Sequence, residues 1–565
     1  MTHLRSIIIP VGWLLAALVV ACGPAQPSQQ SSGGDQSAAR APKILTLTTA
    51  REGNITDFPG TVGRNTAGIG DIVHNYLVVR NERDEFVPQL ATEQLSVEKG
   101  TWRVNADGTM DTTWKIHPNI KWHDGTPFTS ADLLFTLTVY QDAELPSRFG
   151  SALKEIDSAT APDPYTFAIH WKHIFGTANE APALYPMPKH LLEDAYLNDK
   201  ANFGQNPLLS YKFVGLGPYK ITDWNIGSHI EAERYNDYFR GRPPLDRVVL
   251  RIISDPNTIM ANLLSGTIDI AYGNDVDLDA GVELKRRWEG TGNQVLFTPL
   301  GDLQQVEFQF RPEFAKPVQV ATDRAVRQAL WYALDRKALV DAATEGLSPV
   351  ADTWFSPLNR WRTEVGDNVP KYPYDVRKAQ ELMTQAGWTR GPDGILVHSQ
   401  TGDRFDYKVH IQEAKSEQDQ AIVSDMWKAI GVNAQHTALP VPRDREAEAK
   451  QSGVLVTSPK GYEIPYLESS RQHSANISTA ANRWTGRNRG GYLNPEMDAL
   501  INKISLTIDP KEAVPLHRQL LQVGLTDVAL IPLYFDVNAI AMIKGVKGPI
   551  GGTQVETNFF QWTKD

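Results

Sequence analysis

The residues best equipped for chemistry lie late in the chain. Arg471, His473, Arg483, Trp484, Arg487 and Arg489 fall within nineteen residues of a protein whose formal charge is −10. Guanidinium forks match carboxylate and phosphate oxygens, and an indole beside them offers a stacking face. The stretch predicts either a cleft loop that prefers an anionic or carboxylate-bearing ligand, or a solvated basic loop. Catalytic spacing is missing elsewhere. The chain has no HExxH, GxSxG, GxxxxGK[ST] or GxGxxG. His117 and His123 belong to a turn-forming stretch and predict no zinc site. One cysteine in 565 residues, Cys22, excludes a disulfide and a CxxC site. The expectation is a protein without cofactor, metal or catalytic residues.

Cys22 has its own setting. Ile7 to Val20 is an apolar run of 14 residues, spanning about 21 Å as a helix against a hydrocarbon core of ~30 Å. A run that short predicts a signal-peptide core. Val19-Val20-Ala21-Cys22 resembles the bacterial lipobox, in which the thiol takes a diacylglycerol and cleavage leaves the cysteine as the new N-terminus. Residues 1–21 are then a lipoprotein signal peptide. Residues 22–42, rich in Gln, Ser, Gly, Ala and Pro, are a lipid-anchored flexible leash. The protein is expected outside the cytoplasmic membrane, in the periplasm or on the cell surface, tethered through Cys22.

The elements that must position any site alternate in type. Ile44 to Thr49 alternates as a strand, as do Thr112-Trp114-Ile116 and Tyr165-Phe167-Ile169. A Ser/Thr cap precedes the helix that follows Asp132. Asp255-Pro256 opens another helix, stopped by Gly266. Asp323 to Asp341 reads as strongly helical, with Asp335-Arg336 ending one helical stretch and Asp335 as a partner for a nearby Lys or Arg. Interleaved strands and helices over this length predict a mixed α/β protein of several sheets. Hydrophobic content of 41% and charged content of 22% exclude wholesale disorder and a multi-span membrane protein. The acidic balance argues against nucleic acid. Fourteen Trp and eighteen Tyr supply aromatic surface for a core or for an organic ligand.

Eight blocks in order carry a resemblance. Trp114–Asp132 (WKIHPNIKWHDGTPFTSAD), Pro188–Leu191 (PKHL), Gly215–Lys220 (GLGPYK), Arg234–Tyr238 (RYNDY), Leu263–Asp269 (LLSGTID), Val326–Arg336 (VRQALWYALDR), Tyr374–Trp388 and Tyr492–Leu500 (YLNPEMDAL) cover most of the chain after Lys43. They resemble the family 5 extracellular solute-binding proteins, the oligopeptide, dipeptide and nickel-binding class that feeds ABC importers. Most of these blocks read as scaffold, so they point to a fold and leave the ligand open.

The resemblance implies two lobes around a hinged cleft. Lobe I is discontinuous (43–75, 200–305 and 530–565), an extra subdomain covers 76–199, and lobe II covers 306–529. It implies a monomer that binds a short peptide or peptide-like solute and hands it to an ABC permease. It also places ligand contacts at Arg51, Glu52 and Asn54 after the first strand, at Trp354 and Phe355, and on the loop from Thr457 to Ser470. Peptide binders of the family hold the ammonium group with an Asp in that loop. Here the loop has none, and Tyr462, Glu463 and Tyr466 stand there, with Glu463 or Glu468 as substitute carboxylates. That departure keeps open a non-peptide solute: an oligosaccharide, an anionic small molecule or a metal chelate held near His473. A secreted hydrolase is the reading from another class.

Overall fold

The computed structural model describes residues 40–50, 69–81, 85–145, 152–180, 184–411, 417–438, 445–451, 453–458, 471–551 and 555–565. The strands of the two largest sheets, in chain order, are β1 (Ile44–Thr49), β2 (Trp102–Val104), β3 (Met110–Lys115), β4 (Ile156–Asp163), β5 (Thr166–Trp171), β6 (Tyr219–Asn225), β7 (His229–Arg234), β8 (Arg247–Ile252), β9 (Ile270–Tyr272), β10 (Gln294–Phe308), β11 (Asp406–Ile411), β12 (Asn433–Ala438), β13 (Gly453–Ser458) and β14 (Leu530–Met542). Ten of them form one sheet in the order β12-β11-β13-β10-β14-β9-β1-β8-β7-β6. A separate four-stranded sheet runs β2-β3-β5-β4.

Two strands are much longer than the rest, and they join the halves of the large sheet. The first part of β10, Gln294–Pro299, pairs with the end of β14, which also pairs with β9. The second part, Leu303–Phe308, pairs with the start of β14 on one side and with β13 on the other. The register shifts between Pro299 and Leu303. The apolar cores change over at the same place. Leu303, Val306 and Leu530–Phe535 belong to a core shared with helices after residue 320, whereas Ala539, Ile540 and Met542 belong to cores shared with β1, β8 and β9. Asp536 and Val537 lie between them and are only partly buried.

The four-stranded sheet has its own core. Trp114, Phe167, Ile169 and Trp171 meet Leu133, Leu137 and Val139 of α1 (Ser130–Gln141). Thr129 and Asp132 form a capping box that starts α1.

The sequence blocks noted above interlock here. Asp132 also accepts from the Lys189 N–H at 3.0 Å, and Asp124 pairs with His190 at 2.7 Å. Segment 215–217 is gripped by two buried histidines. Gly215 N–H donates to His123 Nδ1, His123 Nε2 donates to Gly217 O, and Leu216 N–H donates to His74 Nδ1. A Cβ on Gly215 would stand 2.0 Å from Val73 O, and one on Gly217 2.3 Å from Val73 C, so only glycine fits. Burial first, then the nearby His123, pushes His74 down to about 3; burial pushes His123 down to about 4.

The helical stretch from Asp323 to Asp341 is two helices. α2 (Arg324–Tyr332) ends, and α3 (Arg336–Thr344) starts afresh, because the Asp335 carboxylate accepts from Ala338 N–H at 3.0 Å. Asp335 is therefore a cap, and it is Arg336 that finds acidic company, at Asp352 (2.9 Å). Among the described residues no helix is long and apolar enough to cross a membrane.

Candidate functional site

The crossover between the half-sheets collects polar groups that a continuous core would not tolerate. β1 runs toward it from one half and stops at Thr49; β13 runs toward it from the other and stops at Ser458, opposite Leu303. Ligands of α/β proteins settle outside strand ends where connectivity changes direction. Just past β1, Ala50 N–H donates to Asp275 Oδ1 at 2.7 Å. Just past β9, Gly273 N–H donates to Asn538 Oδ1 at 3.1 Å. Gln304 donates to Asp536 at 3.1 Å, and the Tyr534 hydroxyl donates to the buried Asp419. Burial pushes Asp275 up to about 6, against the single backbone donor at Ala50. Tyr272, beside it, is pushed well up by its own burial and by Glu556, Asp275 and Asp71. The β1 side of the crossover thus carries acceptors and carboxylates. Among the described residues no group of His, Cys, Asp and Glu is arranged to hold a metal ion.

Comparison with known proteins decides the family. The model for bacterial extracellular solute-binding proteins, family 5, matches residues 85–460. The chain belongs to that family. The oligopeptide-binding protein AppA of Bacillus subtilis is 28% identical over 459 residues, covering 78% of each chain. Its crystal structure with a nonapeptide aligns with a TM-score of 0.66 at 23% identity, over 93% of this chain and all of that one. NikZ of Campylobacter jejuni, solved with Ni(L-His), aligns with a TM-score of 0.70 at 22% identity, with the same coverage. The mixed α/β expectation therefore holds, with the family's fold.

In this family 5 protein those of the expected ligand residues that are described do not form one cluster. Cys22, Arg51, Glu52, Asn54, Tyr462, Glu463 and Tyr466 lie outside the described residues, although the segments bearing all but Cys22 follow directly on Ala50 and Ser458. Trp354 and Phe355 are buried, 1% and 2% exposed, in the core built on the Leu303–Phe308 half of β10. Trp354 packs over Gly524, where a Cβ would stand 2.6 Å from its ring. His473 is occupied with local structure: Nδ1 accepts from Ala475 N–H at 3.0 Å, and Nε2 meets Asn502 at 3.2 Å. Arg471, Arg487 and Arg489 do come together, around a small cavity of about 30 Å³ with Glu307 and Phe310.

Arg483 and Trp484 are not part of that lining. Both have left-handed backbones, φ 53° and 57°, and Lys450 stands 5.1 Å over the Trp484 ring. Lys450 precedes β13 at its Gly453 end, which pairs with Phe308, the end of this half-sheet away from the crossover. Sequence reasoning missed Asp275, Asn538 and Gln304. Asp275 carried one readable signal: an Asn-Asp pair directly after a strand marks a turn at a strand end.

Proposed function

We propose that this protein captures a short peptide or peptide-like solute in the crevice at the crossover, closes over it, and delivers it unchanged to an ABC permease. The observation that carries this reading is the arrangement of strand ends. β1 and β13 stop from opposite halves on either side of the crossover, and among the described strands only β10 and β14 run through it. Asp536–Val537, which belong to none of the apolar cores, and the register shift between Pro299 and Leu303 are the hinge in this reading, since bending there disturbs no packed interior. That places the boundary between lobes at about residues 300 and 537.

A peptide is supported by the likeness to the B. subtilis protein over most of both chains. An extended backbone laid across strand ends gains affinity from main-chain hydrogen bonds without reading side chains. Carriage without reaction is supported by the solute-binding character of the relatives. Tethering through a lipid on Cys22, and action as a monomer at the outer face of the cytoplasmic membrane, complete the reading. Native mass spectrometry of the purified protein tests it. A peptide population released at masses below about 2 kDa supports it; release of a saccharide or a metal complex alone overturns the peptide assignment. A second reading, a non-peptide solute, is favoured by the absence of Asp from Thr457–Ser470 and by the Ni(L-His) bound to NikZ on this fold.

A further inference from the structure

A contact far along the chain bridges the two halves without using the hinge strands. Helix α4 (Pro495–Ser505) and helix α5 (Pro510–Thr526) belong to the core of the second half. The elbow between them does not. Ser505 O accepts from Gly176 N–H at 2.7 Å, and Gly176 lies just beyond the four-stranded sheet. Ile508, at the tip of the elbow, packs against the core of that sheet, with Trp114 and Trp171. The fit is close. A Cβ on Gly176 would stand 2.7 Å from Ser505 O and 2.8 Å from Thr507 O, both backbone atoms that cannot rotate away.

Each partner is braced from its own side. Phe175 stacks on Trp171 at 5.0 Å, and the Thr507 hydroxyl donates to Lys503 O at 2.7 Å. Around this bridge the seam is open. A cavity of about 640 Å³ lies beside it, walled by Phe86, Leu95 and Trp102 on one side and by Trp361, Ile504 and Ala513 on the other. A seam with that much unfilled space gains little dispersion energy over most of its area, so its cohesion concentrates where atoms do meet.

We infer that the Gly176–Ser505 bridge, with Ile508 as its plug, is a latch that biases the protein toward the closed arrangement before cargo arrives. The inference rests on the hinge reading above. A ligand bound only by the closed form has an apparent Kd equal to its intrinsic Kd divided by the closed fraction, so the latch sets affinity from outside the crossover. Gly176 has no left-handed backbone to preserve, so Gly176→Ala acts through the collision alone. Ile508→Ser removes the plug without touching the bridge.

The test is a spin-label distance distribution in ligand-stripped protein, Cys22→Ser background, with labels at Leu197→Cys and Leu493→Cys, both well exposed (67% and 66%) and on opposite sides of the seam. The wild type should show both distances, and each variant should reduce the short-distance population at least threefold while keeping a cooperative thermal transition. The same short–long ratio in wild type and both variants overturns the latch and leaves hinge motion standing. A single short distance in every sample overturns both.

Discussion

Asp275 is a carboxylate at odds with its surroundings. Its folded-state pKa, about 6, lies above the ordinary value near 3.8, so the native state holds a proton that the unfolded chain releases. Stability therefore rises as pH falls from about 6 toward 4, and the ionised group costs about 3 kcal/mol at neutral pH. Asp275→Asn should be more stable than wild type at pH 7.5 by up to that amount, with the difference gone below pH 4, in urea melts. A neutral-pH difference of zero would show that the buried carboxylate carries no cost. Trp354 gives the opposite kind of prediction. Being enclosed by Gly524 and Met497, Trp354→Ala should cost about 3–5 kcal/mol. A variant as stable as wild type but weaker in cargo binding would return Trp354 to the cleft.

These two residues also show what the sequence could convey. An Asp after a strand looks like a turn residue whether or not it faces a crevice, and a Trp looks the same in a core as in a ligand pocket. Side-chain type reports what chemistry is possible; the fold decides where it is aimed.

At the scale of elements, the blocks shared with the family became legible as one joint. His123-Asp124-Gly125-Thr126, Pro188-Lys189-His190 and Gly215-Leu216-Gly217 are distant in sequence and meet through His123, Asp124 and Asp132. The sequence shows such blocks but not their mutual contacts, because hydrogen bonds across ninety residues leave no local period. Both histidines must be neutral here, since Nδ1 of each accepts a backbone N–H. Their folded pKa values lie below the ordinary 6.5, so the stability they contribute is present above pH 6.5 and is lost as pH falls toward about 4 and 3. His123→Gln should lower stability at pH 7.5 and flatten the loss between pH 6.5 and 4, measured by chemical denaturation across that range. An unchanged slope would remove His123 as its source. Gly217→Ala, driven into Val73, should cost about 3 kcal/mol or more. The break at Asp335 was half legible: the sequence marks Asp335-Arg336 as the end of one helical stretch, but only the fold shows that the Asp335 carboxylate starts the next by accepting from Ala338 N–H.

For the whole molecule, the mixed α/β class and the family were open in the sequence, whereas the crossover was not. A fifteen-residue strand such as β10 looks like two short ones interrupted by Pro299 and Gly301. Only pairing shows that it passes from one core to another. Anchoring has its own check: Cys22→Ser should move the protein from the membrane fraction to the soluble extracytoplasmic fraction, and unchanged partitioning would contradict lipidation. The central claim is that two halves, which among the described strands only β10 and β14 join through the large sheet, close over a carried guest. Small-angle X-ray scattering of ligand-stripped protein, titrated with a random-sequence peptide library, tests it most directly. The account predicts a radius of gyration that contracts on addition and saturates; a radius unchanged while peptide demonstrably binds would contradict it.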